Sequence, residues 1–521
     1  CDPQWGCSSK MVGEDLSQEG AWQFNQELRL SSNFSGPLNF SVGANYMHYQ
    51  TVEDYYIFFN LITATIQLVN KSTPGDLTHA HTCDPGSSCD TVTTISPEPF
   101  TFDLGNGPIG LPANFIIASR PDGSMPYAYI DPNPIDAIDG QGHNYFRSEN
   151  PYHLNSFAGF GEVYYQLTPD LKLTGGLRWT DDRKEFWNIP SWVFLQGGGY
   201  PVENIVKQGW QEFTGRFVAN WTPKLDFTDE SMFYASYARG YKGGGANPPG
   251  PHAALFAGQS FVTHPATFAP EFVNAYELGT KNTLLDSGLT LNGDVFYYDY
   301  KGYQISQIVD RTSINLNFDA TVYGAEVEGS WEPLPGLRFN FAGGFENSSV
   351  DEGQSAIDLI DRTAGHKDWM VVKPALTDTS NCILPSYVVK AFVQVGTTNS
   401  LSPPMEAACE NAYSFNGLGA SPTHNDPVTN APYVPNPSVI GQDGNPLTYA
   451  GFDPTTAPNN GAGFSKDLSG NKLPNTPPFT LSIGGQYSMP ISEDWAGALR
   501  GDFYLQGNSF ARIFNDKPYD Q

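Results

Sequence analysis

The residues best able to do covalent chemistry in this sequence are its six cysteines. They fall as three couples close in sequence, Cys1 with Cys7, Cys83 with Cys89, and Cys382 with Cys409. All three couples lie in loop-like segments, and short disulfide loops indicate an oxidising compartment. Free thiols remain an alternative, as does zinc, although the sequence has no CxxC and no histidine spacing of the finger type.

Metal ligation is the second chemistry to consider. His79 and His81 form a His-x-His pair near Cys83, which could place two imidazoles on one side of an extended segment. Solvated loop histidines are the simpler interpretation. Four acidic residues of a later loop could bind Ca²⁺, namely Asp351, Glu352, Asp358 and Asp361. Their spacing is unlike that of a calcium-binding loop, and we predict no metal site and no cofactor.

No catalytic constellation emerges from the sequence. It has no Gly-x-Ser-x-Gly and no His-Glu-x-x-His motif, the patterns of serine hydrolases and zinc proteases. Carboxylate pairs such as Glu326 and Glu328 fall on one side of a predicted strand, where ion pairs explain them. We therefore predict that the protein is not an enzyme.

The elements that would position these residues follow a period of two. From Leu337 to Phe345 every odd position is apolar or Gly, while Arg338 and Asn340 lie between them. Side chains of a strand alternate between its faces, so such a segment has one apolar and one polar face. Patterns with a helical period are nearly absent, and we expect an all-β protein.

Twelve segments share this alternation. They are Phe24–Leu30, Leu38–Tyr49, Phe157–Leu167, Leu171–Trp179, Gln211–Trp221, Met232–Tyr241, Ala275–Leu284, Leu289–Tyr300, Tyr323–Trp331, Leu337–Phe345, Phe479–Met489 and Trp495–Gln506. Most have the length of about ten residues that a tilted strand needs to cross a membrane. Charged residues on their polar faces must meet water or protein, because Arg or Lys at a bilayer midplane costs about 2–4 kcal/mol.

Short and long connections alternate strictly along the chain. Tight turns such as 168–170 and 285–288 alternate with long loops, the largest being 51–150, 181–209, 242–272 and 347–478. In an up-and-down sheet this places all short turns at one end and all long loops at the other, as in outer-membrane barrels. The sequence predicts a transmembrane antiparallel β-barrel with long extracellular loops. Such long loops are usually functional.

The composition supports a membrane barrel and argues against one class of binding partner. Charged residues make up 16% of the chain, aromatic residues 14%, and the formal net charge is −28. This charge argues against nucleic acid, which is bound by clustered Lys and Arg. No stretch approaches the ~20 apolar residues of a membrane-spanning helix.

Five segments together resemble the barrel of TonB-dependent outer-membrane receptors, and most closely the iron-complex group. They are Gln26–Tyr46, Met232–Gly245, Ala269–Gln304, Tyr323–Phe345 and Lys472–Pro490. The resemblance implies a barrel of the 22-stranded type in a Gram-negative outer membrane, filled by an N-terminal plug and energised through the TonB complex. No segment here resembles a plug, a TonB box or the final strands, so we expect this chain to be an internal piece of the barrel.

The resemblance directs attention to residues at the predicted mouth. Six candidates for ligand contact lie there, Arg239, Tyr241, Lys242, Tyr300, Tyr303 and Trp369. The rings could stack on a siderophore, porphyrin or sugar, although girdle or packing roles explain them equally well. The two cations could bind lipopolysaccharide phosphates or an anionic ligand, or anchor the interface. The glycines after Lys242 are interpreted as a hinge between the membrane strand and the external loop that follows it.

The resemblance implies that the function is uptake of a scarce solute, and a ferric siderophore is the first candidate for that solute. The expected partners are outer-membrane lipid and lipopolysaccharide, the ligand, the TonB complex through the plug, and other surface proteins. Two alternatives stay open, a passive porin-like channel and a structural or adhesive barrel within a larger assembly.

Overall fold

The structure is a computed structural model, and it describes residues 8–59, 146–188, 204–247, 265–309, 312–372, 381–395 and 456–516, with short strands at 91–93, 100–103, 108–111, 117–119, 127–128, 192–193, 439–440 and 446–447. Twelve long strands form one antiparallel meander in which each strand pairs with the next. We call this sheet the wall. Its strands are β1 Gly13–Ser31, β2 Leu38–Phe59, β3 Phe146–Thr168, β4 Leu171–Asn188, β5 Asn204–Trp221, β6 Glu230–Lys242, β7 Glu271–Leu284, β8 Leu289–Val309, β9 Thr312–Leu334, β10 Leu337–Val350, β11 Phe479–Pro490 and β12 Ala496–Gln506.

All twelve predicted strands are present, and the antiparallel all-β prediction is confirmed. The observed strands are longer at the loop end, where β2 continues to Phe59 and the β8–β9 hairpin extends over most of the predicted loop 302–317. The loop boundaries drawn from the sequence are therefore too wide. Alternation is imposed by lipid on one face, whereas backbone pairing continues above the lipid without that pattern.

The two faces of the wall differ as the alternation predicts. Leu177 of β4 and Phe213 of β5 point to the apolar face and are 60% and 58% exposed. Glu162 and Arg216 lie on the polar face and pair at 2.6 Å. Large apolar side chains with no protein over them are the expected signature of a lipid-facing surface.

A row of tyrosines marks the loop-end border of the apolar face. Tyr237, Tyr276, Tyr297 and Tyr323 are direct cross-strand partners on β6, β7, β8 and β9. Ring centroids lie 5.1 Å apart for Tyr237 and Tyr276, and 6.4 Å apart for Tyr276 and Tyr297. Amphipathic rings of this kind favour the membrane–water interface. We call this row the girdle.

The short turns at the opposite end are specified locally. Gly336 joins β9 to β10 at φ +81°, and a Cβ there would meet the backbone of Ser488. In the β7–β8 turn Leu285, Asp286 and Ser287 all have positive φ, and the Ser287 amide donates to Asp229 at 2.9 Å. These contacts fix the register of the hairpins that follow.

Helix is scarce among the residues that the structure describes, as predicted. The α-helix α1 (Ser386–Val395) lies in the β10–β11 connection. Within the described ranges no helix has both the length and the apolar character needed to traverse a bilayer. The described wall is an open sheet, with β1 and β12 at its two edges.

Candidate ligand site at the loop end of the wall

Part of the long β10–β11 connection, together with the segment that follows β12, folds back onto the polar face of the wall. We call residues 351–372, 456–476 and 508–516 the cap. Its short strands Ser355–Ile357 and Ser465–Asp467 pair with each other. Backbone bonds fasten it to the wall, since the Val350 amide donates to the Asn471 carbonyl at 2.8 Å. The cap thus covers the loop end of β8, β9 and β10.

An apolar core joins the cap to the wall. Its buried residues are Phe318, Ala320, Val322, Val350, Leu468, Leu473 and Ile513. The first four belong to β9 and β10, where the loop-end positions of the polar face become apolar, and the last three come from the cap. Burial of this surface in a water-exposed region stabilises the cap through the hydrophobic effect.

A buried carboxylate organises the cap. Asp358 is fully buried and accepts hydrogen bonds from Lys466 at 2.9 Å, from the Ile360 amide at 3.0 Å, and from Arg512. Lys466 also contacts Asp361 at 3.0 Å, and Arg512 contacts Asp516 at 2.9 Å. Three chain segments distant in sequence therefore meet at one side chain.

The charges of this cluster shift one another's protonation. Burial alone would raise the pKa of Asp358, but the hydrogen bonds from Lys466 and Arg512 prevail and lower that pKa. For Lys466, burial would lower the pKa, whereas bonds to Asp358 and Asp361 raise it. Both groups are consequently held in their charged forms.

A pocket of about 700 Å³ opens between the cap and the ends of β8 and β9. Its apolar lining includes Tyr303, Ile305, Phe318, Ile360, Ile513 and Phe514, and its polar lining includes Gln304, Asn475 and Arg512. Ile308 and Ile360 remain 74% and 59% exposed to solvent. Volume and lining match the concave, mostly apolar sites that hold small ligands.

A β-bulge directs Tyr303 into this pocket. The β8–β9 register shifts between Tyr300 and Tyr303, and Gly302 within the shift has φ +68°. Its amide donates to Asp319 at 2.8 Å. Because a bulge reverses the alternation, Tyr300 and Tyr303 come to lie on the same side, with ring centroids 5.3 Å apart.

β6 ends at Lys242 and the glycines after it pack closely, while a hinge at this point stays a prediction. Lys184 of β4 donates to the Gly244 carbonyl at 2.6 Å, and its ammonium lies 5.4 Å from the Trp210 ring. A Cβ at Gly244 would come within 2.8 Å of that ring and would also meet the Phe268 carbonyl. Glycine is required there for close approach, which sequence spacing alone does not reveal.

Of the six mouth candidates, Tyr303 lines the pocket and Tyr300 packs beside it against the cap core. The other four lie elsewhere. Arg239 stacks over Phe272 at 4.6 Å, Tyr241 contacts the same ring, Lys242 is 4.0 Å from Glu271, and Trp369 packs on Phe464. No sequence pattern pointed to Phe514 or Ile513, whereas Gly302 could have indicated the bulge.

The cysteine and histidine predictions fall mostly outside the described residues, which exclude Cys1, Cys7, Cys83, Cys89, Cys409, His79 and His81. Cys382 is buried and disulfide-bonded, and its pairing with Cys409 stays a prediction. Three of the four carboxylates considered for Ca²⁺ meet cationic side chains, Asp351 with Lys301 at 3.4 Å, and Asp358 and Asp361 with Lys466 at 2.9 and 3.0 Å. Among the described residues no group of three metal-ligating side chains converges.

Further along the polar face, two regions carry opposite charge. Across β1 to β5, Arg29, Arg178 and Arg216 line a recess of about 440 Å³. Gly176 lies between Glu162 and Arg216 in the register, and its missing side chain lets their ion pair form across β4. Across β7 to β10 carboxylates predominate, namely Glu277, Asp294, Glu326, Glu328 and Glu346.

Comparison with known proteins bears on the identity of this wall. The chain is similar to the ferric yersiniabactin uptake receptor FyuA from Yersinia pestis, at 13% identity and a TM-score of 0.48, over 99% of this chain and 46% of that one. It is also similar to the ferric-catecholate import receptor Fiu from E. coli K12, at 13% identity and a TM-score of 0.43, over 95% of this chain and 45% of that one. The chain spans about half the length of these receptors. A family model described as TonB dependent receptor-like, beta-barrel, matches residues 9–371. Since that match covers most of the chain, the protein belongs to the TonB-dependent receptor β-barrel family.

Proposed function

We propose that this chain is the ligand-capturing part of an outer-membrane receptor that takes up a ferric siderophore. The ligand enters the pocket between the cap and the ends of β8 and β9, and TonB energises its passage through the lumen. The pocket is the observation that carries this proposal. It lies at the extracellular end of the wall, it has the size of a small-ligand site, and loops of the chain itself build it.

The chemistry of the pocket suits an organic ligand that brings its own metal donors. Its lining is aromatic and aliphatic, and Arg512, its cation, is already paired with Asp358 and Asp516. An anion entering the pocket would have to displace those carboxylates. We therefore expect a complex whose iron is wrapped by the siderophore and whose outer surface is apolar or aromatic, packing on Tyr303 and Phe514.

Active transport requires parts beyond the described wall. The edges β1 and β12 do not pair with each other among the described residues, and an unpaired edge is not tolerated in lipid. We propose that further strands of the same protein close the barrel and that a plug fills the lumen. The arginine recess and the carboxylates of β7 to β10 would then face that plug.

The cap favours a receptor over a passive pore. It lies across the loop end of the polar face and is fixed there by a buried core and ion pairs. A porin-like channel would need that entrance free. The arrangement gives no comparable reason to favour an adhesive role.

Binding to the purified full-length receptor tests the proposal. A panel of ferric siderophores is titrated while tryptophan fluorescence is followed, and uptake is measured in a deletion strain grown under iron limitation. Replacing Tyr303 or Phe514 by Ala should weaken binding of the recognised complex about tenfold or more, since buried aromatic contacts dominate such sites. Tyr387→Ala is the matched control, because Tyr387 is 53% exposed and lies outside the pocket. Undiminished uptake of every ferric complex by the deletion strain would overturn the iron assignment.

A further inference from the structure

The β8–β9 hairpin extends beyond its neighbouring strands, so strand pairing alone does not fix its direction. β7 pairs with β8 only as far as Lys301, and β9 pairs with β10 only as far as Ala320. Beyond these residues, 303–309 and 312–318 pair with each other and with no other described strand. A two-stranded ribbon is only marginally stable in water. Side-chain contacts must therefore hold this hairpin in place.

The two faces of the hairpin differ in what they contact. Leu316 and Phe318 line the pocket and belong to the apolar packing beneath the cap. Asn315 and Asn317 alternate with them along β9 and lie on the opposite face. That face meets both ends of the β6–β7 connection. The connection thus lies behind the pocket, and none of its described residues lines the pocket.

Asn317 binds the backbone of Ala269 through both ends of its side-chain amide. Its Nδ2 donates to the Ala269 carbonyl at 2.9 Å, and its Oδ1 accepts from the Ala269 amide at 2.8 Å. The same Nδ2 donates to the Gly302 carbonyl at 2.7 Å, while the Gly302 amide donates to Asp319. Side chains of β9 therefore hold both backbone groups of the bulge residue that precedes Tyr303.

Asn247 makes the reciprocal contact, from the β6–β7 connection to the hairpin. Its Nδ2 donates to the Asn315 carbonyl at 3.1 Å, and its Oδ1 accepts from the Asn315 amide at 2.8 Å. The same Nδ2 donates to the Pro265 carbonyl at 2.7 Å. Asn247 is 3% exposed, so these bonds form away from water. We call the contacts of Asn317 and Asn247 the asparagine bridges.

Both bridges require a neutral amide. An asparagine side chain offers two N–H donors and a carbonyl acceptor, and each of these two side chains uses both donors and the acceptor. An aspartate of the same shape would keep the acceptor but would turn an oxygen toward two carbonyl oxygens. Those carbonyls would lose their donors, which is costly for groups away from water. With both donors in use, the two amides act on the hairpin and not on a ligand.

We propose that Asn317 and Asn247 are positioning residues of the ligand pocket, an inference that rests on the proposed function. Asn317 holds the peptide of Gly302, and Asn247 holds β9 two residues further along the hairpin. Together they keep the hairpin in the direction that turns Tyr303 toward the pocket. The β6–β7 connection thereby supports a site that it does not line.

Fluorine NMR of the full-length receptor tests the direction of Tyr303 without any ligand. The receptor carries 3-fluorotyrosine at position 303 alone. Asn317→Asp should shift or split its resonance, and Asn247→Asp should do so to a smaller extent, because only Asn317 bonds to the bulge itself. An unmoved resonance in Asn317→Asp would overturn the proposal, because a side chain that merely stabilised the loops would leave Tyr303 in place.

Matched variants guard this measurement against general effects. Asn340→Asp makes the same chemical change on the polar face of β10, near the short turns, and should leave the resonance unmoved. The β-sheet spectrum of each variant shows that the barrel has folded. If Asn317→Asp does not fold, Asn247→Asp decides the question by the same criterion.

A double-mutant cycle then tests the consequence for binding. The probes are ferrichrome, ferrioxamine B and ferric enterobactin, and the cycle uses the complex that the wild-type receptor binds. Asn317→Asp should weaken binding by about fivefold in the wild type but by less than about twofold in Tyr303→Ala, because residues that act through one contact are not additive. Equal losses in the two backgrounds would overturn the positioning role.

Failure of the proposed function is distinguishable from failure of this inference. Normal binding in Tyr303→Ala, or a wild-type receptor that binds no ferric complex, would contradict the proposed ligand site. The resonance of Tyr303 would still show whether the asparagine bridges set its direction.

Discussion

The wall and the cap are stabilised in opposite ways. In this outer-membrane barrel the wall turns large apolar side chains outward, as with Leu177 and Phe213, and fills no core of its own beneath them. The cap does the reverse, burying Leu468 completely and holding the charged Asp358 inside. The wall therefore depends on lipid, whereas the cap depends on contacts within the protein.

This difference has a consequence for stability. A change on the outside of the wall acts through the bilayer and should alter insertion without moving the cap. A change inside the cap should free the loops without disturbing the strands. Single substitutions in the wall and in the cap test that separation.

The largest effect is expected for Asp358→Ala. Removing one member of a buried ion pair costs about 3–5 kcal/mol of stability. We expect a loss at the lower end of this range, because Lys466 would still pair with Asp361 and Arg512 with Asp516. Limited proteolysis should cleave the cap faster while the strands stay protected. Ser355→Ala, at an exposed polar position of the cap, is the control. Cleavage of the wall at the same rate would show that the two regions are not separate.

The next effect is expected for Leu177→Lys on the lipid-facing side of β4. A lysine near the bilayer midplane costs about 2–4 kcal/mol in barrels, so the folded barrel should lose stability in bilayers by that amount. Asn340→Lys on the polar face of β10 is the control and should have little effect. Denaturant unfolding in lipid vesicles measures both, and equal losses would contradict the assignment of faces.

A smaller effect is expected for Gly302→Ala, at the junction of wall and cap. The residue has φ +68°, and a Cβ there would press on the Pro270 carbonyl. A left-handed conformation costs a non-glycine residue about 1–2 kcal/mol, and relief of the strain should turn Tyr303 away from the pocket. Siderophore binding should weaken while the barrel stays folded. Gly501→Ala, where a Cβ meets nothing, should bind normally.

The strands of the wall could be predicted from the sequence, whereas the cap and most of the pocket could not. The strands were predictable because lipid on one face imposes alternation, as between Leu337 and Phe345. The cap could not be predicted, because Asp358 bonds to Lys466 and Arg512, which are 108 and 154 positions away along the chain. No periodic pattern relates residues so far apart. Tyr303 was found as a mouth aromatic, but its direction depends on the bulge at Gly302, and Phe514 carried no pattern.

The smallest effect is expected from pH. The pKa of Asp358 is lowered in the folded cap from its ordinary value of 3.8, so its contribution is fully present above that value and is lost as pH falls through the lowered pKa. The pKa of Lys466 is raised in the folded cap from its ordinary value of 10.5. Its contribution to stability is therefore fully present below that value and is lost as pH rises through the raised pKa. Proteolysis of the cap should be constant near neutral pH and should accelerate under strong acid. Asp358→Asn should remove most of the acid dependence.

We expect the cap and the ends of β8 and β9 to form the ligand site together. Hydrogen–deuterium exchange of the full-length receptor in lipid discs tests it directly, with and without the ferric siderophore that supports growth. Bound ligand should slow exchange at residues 303–308, 474–475 and 511–514, which line the pocket from both sides, and leave the membrane-embedded strands unchanged. Saturating ligand that protects other loops and leaves these three segments unaltered would contradict the account.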